Sequence, residues 1–518
     1  MKLSSLLLVL AVSCPLVRAD EHALPRATPE SQGVSAAGVS EFIHTLDQKI
    51  DAVHSVMIVR HGHVIAEGWW GPYAANEPHI LYSLSKSFTS TAIGLAQSER
   101  RLSVNDPILK FFPELAPKDP SANLKAMRIA DLLRMSTGHH DSDIDPFPFA
   151  TQDDLVKYFL SRPVTDKPGT HFFYNSGATY VLSAIVKKVT GKTVVDYLKP
   201  RLFDPLGIAN PVWESSGDGV SYGAFGLSLH TEDIAKFGLL YLHKGEWGNR
   251  RLIPASWVET ATARQTANGS DPTSDWEQGY GYQFWRCRYD FYRGDGAFGQ
   301  FCIVMPSVDT VVAITSGTRD MGGVMNAIWD KLLPELRPAA LPSDEDGDAI
   351  LQKQLAGLTL PVPKSTGAAP AGIVGKKFVF AANDAGLESL SLASEPNGTT
   401  SVHVRFLGTD QVIPVETGTW TKFGYQAVTG PEKPVMGSVH YGRLPAKPFA
   451  IDFEYADRLA AAGAWISPDT YELKICQYRT TFTQTIRLKF TGNDVTVTAA
   501  QNVGFDKLEA APIIGHAQ

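Results

Sequence analysis

The stretch Ser83-Leu84-Ser85-Lys86-Ser87-Phe88-Thr89-Ser90-Thr91-Ala92-Ile93-Gly94-Leu95-Ala96 sets a hydroxyl and an amine three residues apart. They stand at the head of a run whose apolar positions Phe88, Ala92, Leu95 and Ala96 recur at helical spacing. Residues three apart share a helix face, so the Lys86 amine can lie beside the Ser83 hydroxyl and take its proton. Lysine accepts a proton only when neutral, and burial lowers its pKa toward that state. A buried helix start also leaves N–H groups and a positive dipole end at Ser83, which favour an oxyanion. The alternative is an ordinary serine N-cap with a solvated lysine one turn on. A Ser-x-x-Lys match alone is weak, so its surroundings must decide.

With 518 residues the chain exceeds one ordinary domain, and two are expected. Residues 1–19 read as an export signal: Lys2 carries the charge, Leu6 to Val12 form the apolar core, and Val17-Arg18-Ala19 offers a small-residue cleavage site. The expected location is a periplasm or the medium. A competing reading takes Ala11-Val12-Ser13-Cys14 as a lipid-attachment box anchoring Cys14, for which Ala11 is a poor residue. No later stretch is long and apolar enough to span a bilayer. The formal charge is −7, and losing the leader removes Lys2 and Arg18 as well, so nucleic acid is not an expected partner. Beyond Cys14 there are Cys287, Cys302 and Cys476. They make no disulfide framework, although the Gly-rich turn between Cys287 and Cys302 leaves room for one bridge.

Ser35 to Lys49 reads as an amphipathic helix, and Ser55 to Arg60 with Val64 to Trp69 as a hairpin around His61-Gly62-His63. Helical periods then dominate to about Ala263. Strands return at Gly281 to Trp285, Gln300 to Val304 and Thr310 to Ile314, closed by a helix from Met321 to Leu336. This order implies one sheet assembled from both ends of a domain, residues 20–337, with a helical insert facing it. Pro, Ala, Ser and Gly cluster in 338–372, the expected linker. Short alternating runs beyond it predict a small antiparallel β domain over 373–518.

Two further elements carry chemistry. Tyr174-Asn175-Ser176 enters a helix running from Ala178 to Val189, where a phenol can relay a proton and Ser176 can hydrogen-bond substrate or Lys86. The plain alternative is an aromatic cluster anchoring a helix start. Arg293-Gly294-Asp295-Gly296-Ala297-Phe298-Gly299-Gln300 lets a ligand approach backbone closely, and an N–H there can pair with that of Ser83 as an oxyanion hole. Alone it would be a β-turn. The run His139-His140-Asp141-Ser142-Asp143-Ile144-Asp145 matches no recognised ligand spacing, so neither metal nor organic cofactor is expected. Asn268 and Asn397 head triplets that would be glycan acceptors only in a eukaryotic secretory host.

In this order the three elements resemble serine hydrolases related to class C β-lactamases and penicillin-binding proteins. The resemblance runs from about Pro29 to Leu336 and includes Asp131-Leu132-Leu133-Arg134-Met135-Ser136-Thr137-Gly138-His139 and Phe225-Gly226-Leu227-Ser228-Leu229. It implies a β-lactamase-like α/β (α+β) fold, an antiparallel sheet flanked by helices with an all-helical insert. It makes Ser83 the nucleophile, Lys86 its base, Tyr174 the proton relay and Ala297 the second oxyanion donor. It also puts His139 in a loop beside the active site, read as substrate-lining, while the glycine-rich edge itself makes Gly296 a candidate substrate contact.

Two departures bear on substrate. The third family box usually has Lys or His at Gly294, with Arg293 the adjacent candidate for a charge contact. The second usually ends in Asn where this chain has Ser176. Tyr-x-Ser instead looks like the branch with nylon-oligomer hydrolases and esterases, so the expected partner is a small carboxylic ester or amide. The alternatives are a D-Ala-D-Ala peptidase or weak β-lactamase, and a non-catalytic binding protein on the same fold.

Overall fold

The computed structural model describes residues 23–518 apart from 141–148, 150–153, 384, 396–398, 407, 425–457 and 506–507. The expected leader with Cys14, the loop residues Asp141 to Asp145 and the acceptor Asn397 lie outside the described residues.

Helix α1 (Ala36–Lys49) starts where the Ser35 side chain accepts the N–H of Gly38, and it buries Val39, Phe42, Ile43 and Leu46 along one stripe. The hairpin β1 (Val53–Arg60) and β2 (His63–Trp69) follows, then the short β3 (His79–Ile80), a 3-10 turn over Tyr82–Leu84 and helix α2 (Ser85–Ser98). Within the helical insert, β4 (Val212–Trp213) and β5 (Leu227–Leu229) join β3 in a small sheet, and β6 (Glu246–Trp247) pairs with β7 (Arg250–Arg251). The chain then returns as β8 (Trp285–Arg286), β9 (Tyr292–Gly296), β10 (Gln300–Met305) and β11 (Thr310–Ser316).

The main sheet has the order β2-β1-β11-β10-β9-β8 and is antiparallel throughout. Every residue of β1 is buried, because both faces are covered. Met57 and Val59, with Cys302, Val311 and Ala313, face α2 and the insert. Val56 and Ile58, with Phe301, Ile303, Val312 and Ile314, face α1 and the helices after β11. The period-2 alternation of a strand thus sorts one apolar run into two cores.

Four expectations change in detail. Gly281 to Phe284 form a tight turn rather than a strand: Gly281 donates to the Phe284 carbonyl, and Gln283 takes φ 65 to aim its amide into the insert. The helix from Met321 changes pitch, α-helical over Met321–Ala327, π over Ile328–Leu332 and 3-10 over Leu333–Glu335. Residues 338–372 contain a helix, Glu345–Ala356, capped by Asp344, whose Leu351 and Leu355 pack into the α1 side of the core. Gly68 admits it, since a Cβ there would stand 3.0 Å from Leu355 of the helix and 2.8 Å from Leu358 just after it. Cys287 and Cys302 are free and buried, and they lie in different cores on opposite faces of the sheet, where no bridge can form.

The C-terminal part is a ten-stranded antiparallel sheet. Its strands are β12 (Lys377–Phe380), β13 (Leu387–Ser394), β14 (Thr400–Phe406), β15 (Thr409–Val415), β16 (Thr421–Phe423), β17 (Leu459–Ser467), β18 (Thr470–Gln477), β19 (Thr483–Thr491), β20 (Asp494–Gln501) and β21 (Ile513–Ala517). The end strands β15 and β16 touch, so the sheet curls into a barrel-like shape. Ile486, Leu488 and Phe490 point into its core while Arg487 and Lys489 between them do not.

Candidate active site

Ser83 sits on the 3-10 turn that opens α2, directly after Tyr82, whose backbone is held in the left-handed region at φ 45. One turn on, Lys86 is 1% exposed. Its Nζ lies 2.9 Å from Ser83 Oγ, 3.2 Å from Ser176 Oγ and 2.9 Å from the Ala224 carbonyl. The Tyr174 ring lies beneath it at 4.8 Å. Burial lowers the Lys86 pKa to about 7, against a smaller upward pull from Asp295. A neutral amine has two hydrogens and one lone pair, and the three neighbours match that inventory. Its N–H groups can donate to Ala224 and Ser176, leaving the lone pair to accept from Ser83 O–H.

Local sequence explains these placements. Asn175 caps the helix Ser176–Thr190 by accepting the N–H of Ala178, which fixes Ser176 as its first residue. The preceding loop is pinned where Phe173 N–H donates to the Met135 carbonyl. Tyr174 stacks on Trp285 with centroids 5.5 Å apart and meets Tyr280 edge-on. Its ring is thereby held between Lys86 and the end of the main sheet.

Ala297 lies in the β9–β10 turn, where Phe298 and Gly299 take φ 64 and 89. Gly296 permits the close approach of this edge: a Cβ there would be 2.1 Å from the Leu81 carbonyl, on the segment entering Ser83. Gly294 is packed as tightly, since a Cβ would meet Leu84 Cδ1 at 2.1 Å and Ser87 Oγ at 3.0 Å. A long cation at position 294 would have to displace Leu84.

Two expected substrate contacts lie elsewhere. Arg293 is fully buried; its pairing with Ile303 turns it to the sheet face opposite Gly294, and its guanidinium is bound to Asp295 at 2.8 Å and to the Asp275 carbonyl. His139 is also fully buried, with Nδ1 2.9 Å from Thr137 Oγ1 and its ring against Phe159. Both side chains are packed structure rather than surface.

Sequence reading missed several contributors. Gln300 donates to the Ala297 and Ser316 carbonyls and accepts the Ser316 N–H, locking the turn that carries Ala297. Gln283 donates to Leu132 and Leu133 and accepts from Thr179, tying the insert to the sheet. A glutamine opening the buried strand Gln300-Phe301-Cys302-Ile303 was the available signal for the first; the Ala224 carbonyl, being backbone, had none.

The Beta-lactamase family model matches residues 42–332. The chain belongs to the β-lactamase family. Family membership makes it a hydrolase of the β-lactamase fold, and its known relatives are varied. The "6-aminohexanoate-dimer hydrolase" of Paenarthrobacter ureafaciens is 26% identical over 322 residues, 57% of this chain and 80% of that protein. A "Putative D-alanyl-D-alanine carboxypeptidase" of Escherichia coli (strain K12) is 25% identical over 236 residues, 40% of this chain and 54% of that protein. The solved structure "Putative 6-aminohexanoate-dimer hydrolase from Bacillus anthracis" aligns with a TM-score of 0.51 at 20% identity, over 62% of this chain and 89% of that one. At that identity the likeness speaks for the β-lactamase fold alone.

Proposed function

We propose that this protein is an exported serine hydrolase of small carboxylic esters or unstrained amides, working through an acyl-enzyme on Ser83. The observation that carries the reading is the buried Lys86 amine, 2.9 Å from Ser83 Oγ and with a pKa near 7. Ser83 Oγ attacks the substrate carbonyl carbon while its proton passes to Lys86 Nζ. The carbonyl oxygen becomes an oxyanion held by the N–H groups of Ser83 and Ala297. Lys86, now an ammonium, returns the proton to the leaving group with Tyr174 as relay; water then attacks the acyl carbon, the bond to Ser83 Oγ breaks, and the acid leaves as a proton from the water returns to Oγ. Esters are favoured over amides because an alkoxide leaves with less help from a proton donor.

The peptidase and β-lactamase alternative needs a cation for the substrate carboxylate. At the third box Gly294 supplies none, and Arg293 faces away within an ion pair, which favours the ester reading. The test is Ser83→Ala assayed on short-chain nitrophenyl esters: at least a thousandfold fall in kcat/KM is expected, and retained hydrolysis would remove Ser83 from the mechanism. Intact mass after a brief pulse of ester should show one acyl group on the wild type and none on the variant.

A further inference from the structure

The two backbone segments assigned to the oxyanion hole carry aromatic neighbours, Tyr82 before Ser83 and Phe298 after Ala297, in edge contact at 5.5 Å. The barrel, not the hydrolase domain, completes that pair. Val503 is fully buried against it, Phe482 packs beside it together with Ala297, and Phe505 lies 4.8 Å from the Phe298 ring. The Tyr82 hydroxyl is 3.2 Å from Thr481 Oγ1.

This contact is fixed by polar bonds on both sides. Asn502 donates to the Gly317 and Thr481 carbonyls, Ile80 N–H donates to the Arg479 carbonyl, and Arg479 pairs with Glu77 at 2.7 Å. Gly317 lets the surfaces close, since a Cβ there would stand 2.3 Å from the Thr481 carbonyl. Within this well-packed cluster Phe505 stays 51% exposed. Its ring therefore extends the apolar surface around Ala297 out to solvent, as a binding wall requires.

We propose that the barrel supplies one wall of the acyl pocket, with Phe505 as its specificity-determining residue for acyl groups that continue as an apolar chain or ring. The inference rests on the acyl-enzyme reading above. With the carbonyl oxygen at Ser83 and Ala297, the leaving group must face its proton donors Lys86 and Tyr174 on the insert side. The acyl chain is left to face Tyr82, Phe298 and Phe505.

The experiment compares nitrophenyl acetate with nitrophenyl hexanoate on the full chain, as wild type, Phe505→Ala and Phe505→Leu. The preference for hexanoate, as the ratio of kcat/KM values, is expected to fall about tenfold in the alanine variant and to recover most of that in the leucine variant. An unchanged ratio would overturn the proposal while leaving Ser83 chemistry intact. Binding of the non-hydrolysable ketone analogue of the hexanoate ester to Ser83→Ala protein should weaken about tenfold when Phe505→Ala is added; equal affinity would overturn the wall even if Ser83 proved not to be the nucleophile.

Discussion

Lys86 and Arg293 are both buried basic side chains, 1% and 0% exposed, and their pKa values move in opposite directions. Lys86 has two hydroxyls, a carbonyl and an aromatic face around it and, among the described residues, no carboxylate within bonding reach, so burial lowers its pKa to about 7. Burial also works against the charge on Arg293. There Cys287 and Asp295 more than offset it, and the guanidinium is held above its usual pKa. It rests over Trp276 at 4.7 Å and braces β9 from behind. Desolvation without a counter-ion makes a base; desolvation with one makes a brace.

The largest effect expected from this contrast is at the base. Lys86→Met keeps the stem and removes the amine, and kcat/KM on a short ester should fall about 10³- to 10⁴-fold, the range for losing a positioned general base. In the wild type kcat/KM should rise as pH passes through about 7, because the proposed mechanism needs the amine neutral. A flat profile from pH 5 to 9, under conditions where chemistry limits the rate, would break the assignment of Lys86.

Next in size is Asp295→Asn, which removes the counter-ion of Arg293. Leaving that charge unpaired should cost about 3–5 kcal/mol in urea unfolding. The same change removes a negative charge that raises the Lys86 pKa, so the rising limb of the rate profile should move to lower pH. A limb moving upward would mean that Asp295 does not act on Lys86 electrostatically.

Much of this site could be read from the chain because its signals are local. The Ser83–Lys86 spacing, the Tyr174-Asn175-Ser176 helix entry and the glycines before Ala297 each state their geometry within a few residues. The alternating strands of the barrel were as plain, since Ile486, Leu488 and Phe490 need only a period of two. What stayed hidden depends on distant partners. Arg293 lies one position from Gly294, and in a strand one position decides the face, yet only the β9–β10 register says which. The helix Glu345–Ala356 carries few apolar residues, and their burial depends on α1 and on Gly68. The turn at Gln283 breaks an apparent strand because its amide is needed by Leu132 and Leu133, some 150 residues away.

The smallest expected effect separates burial from pairing at a single position. Arg293→Lys keeps a cation beside Asp295 but gives up the fork that also reaches the Asp275 carbonyl and Cys287. Two lost hydrogen bonds to a charged group, partly compensated by relaxation, should cost about 2 kcal/mol in urea unfolding. The charge environment of Lys86 is unchanged in sign, so the rising limb of the rate profile should stay where the wild type has it. If the new lysine instead lost its proton near neutrality, Asp295 would be left uncompensated and would act more strongly on Lys86, moving the limb to higher pH. That outcome would mean depth alone sets the state of a cation here; an unmoved limb means the neighbouring carboxylate does.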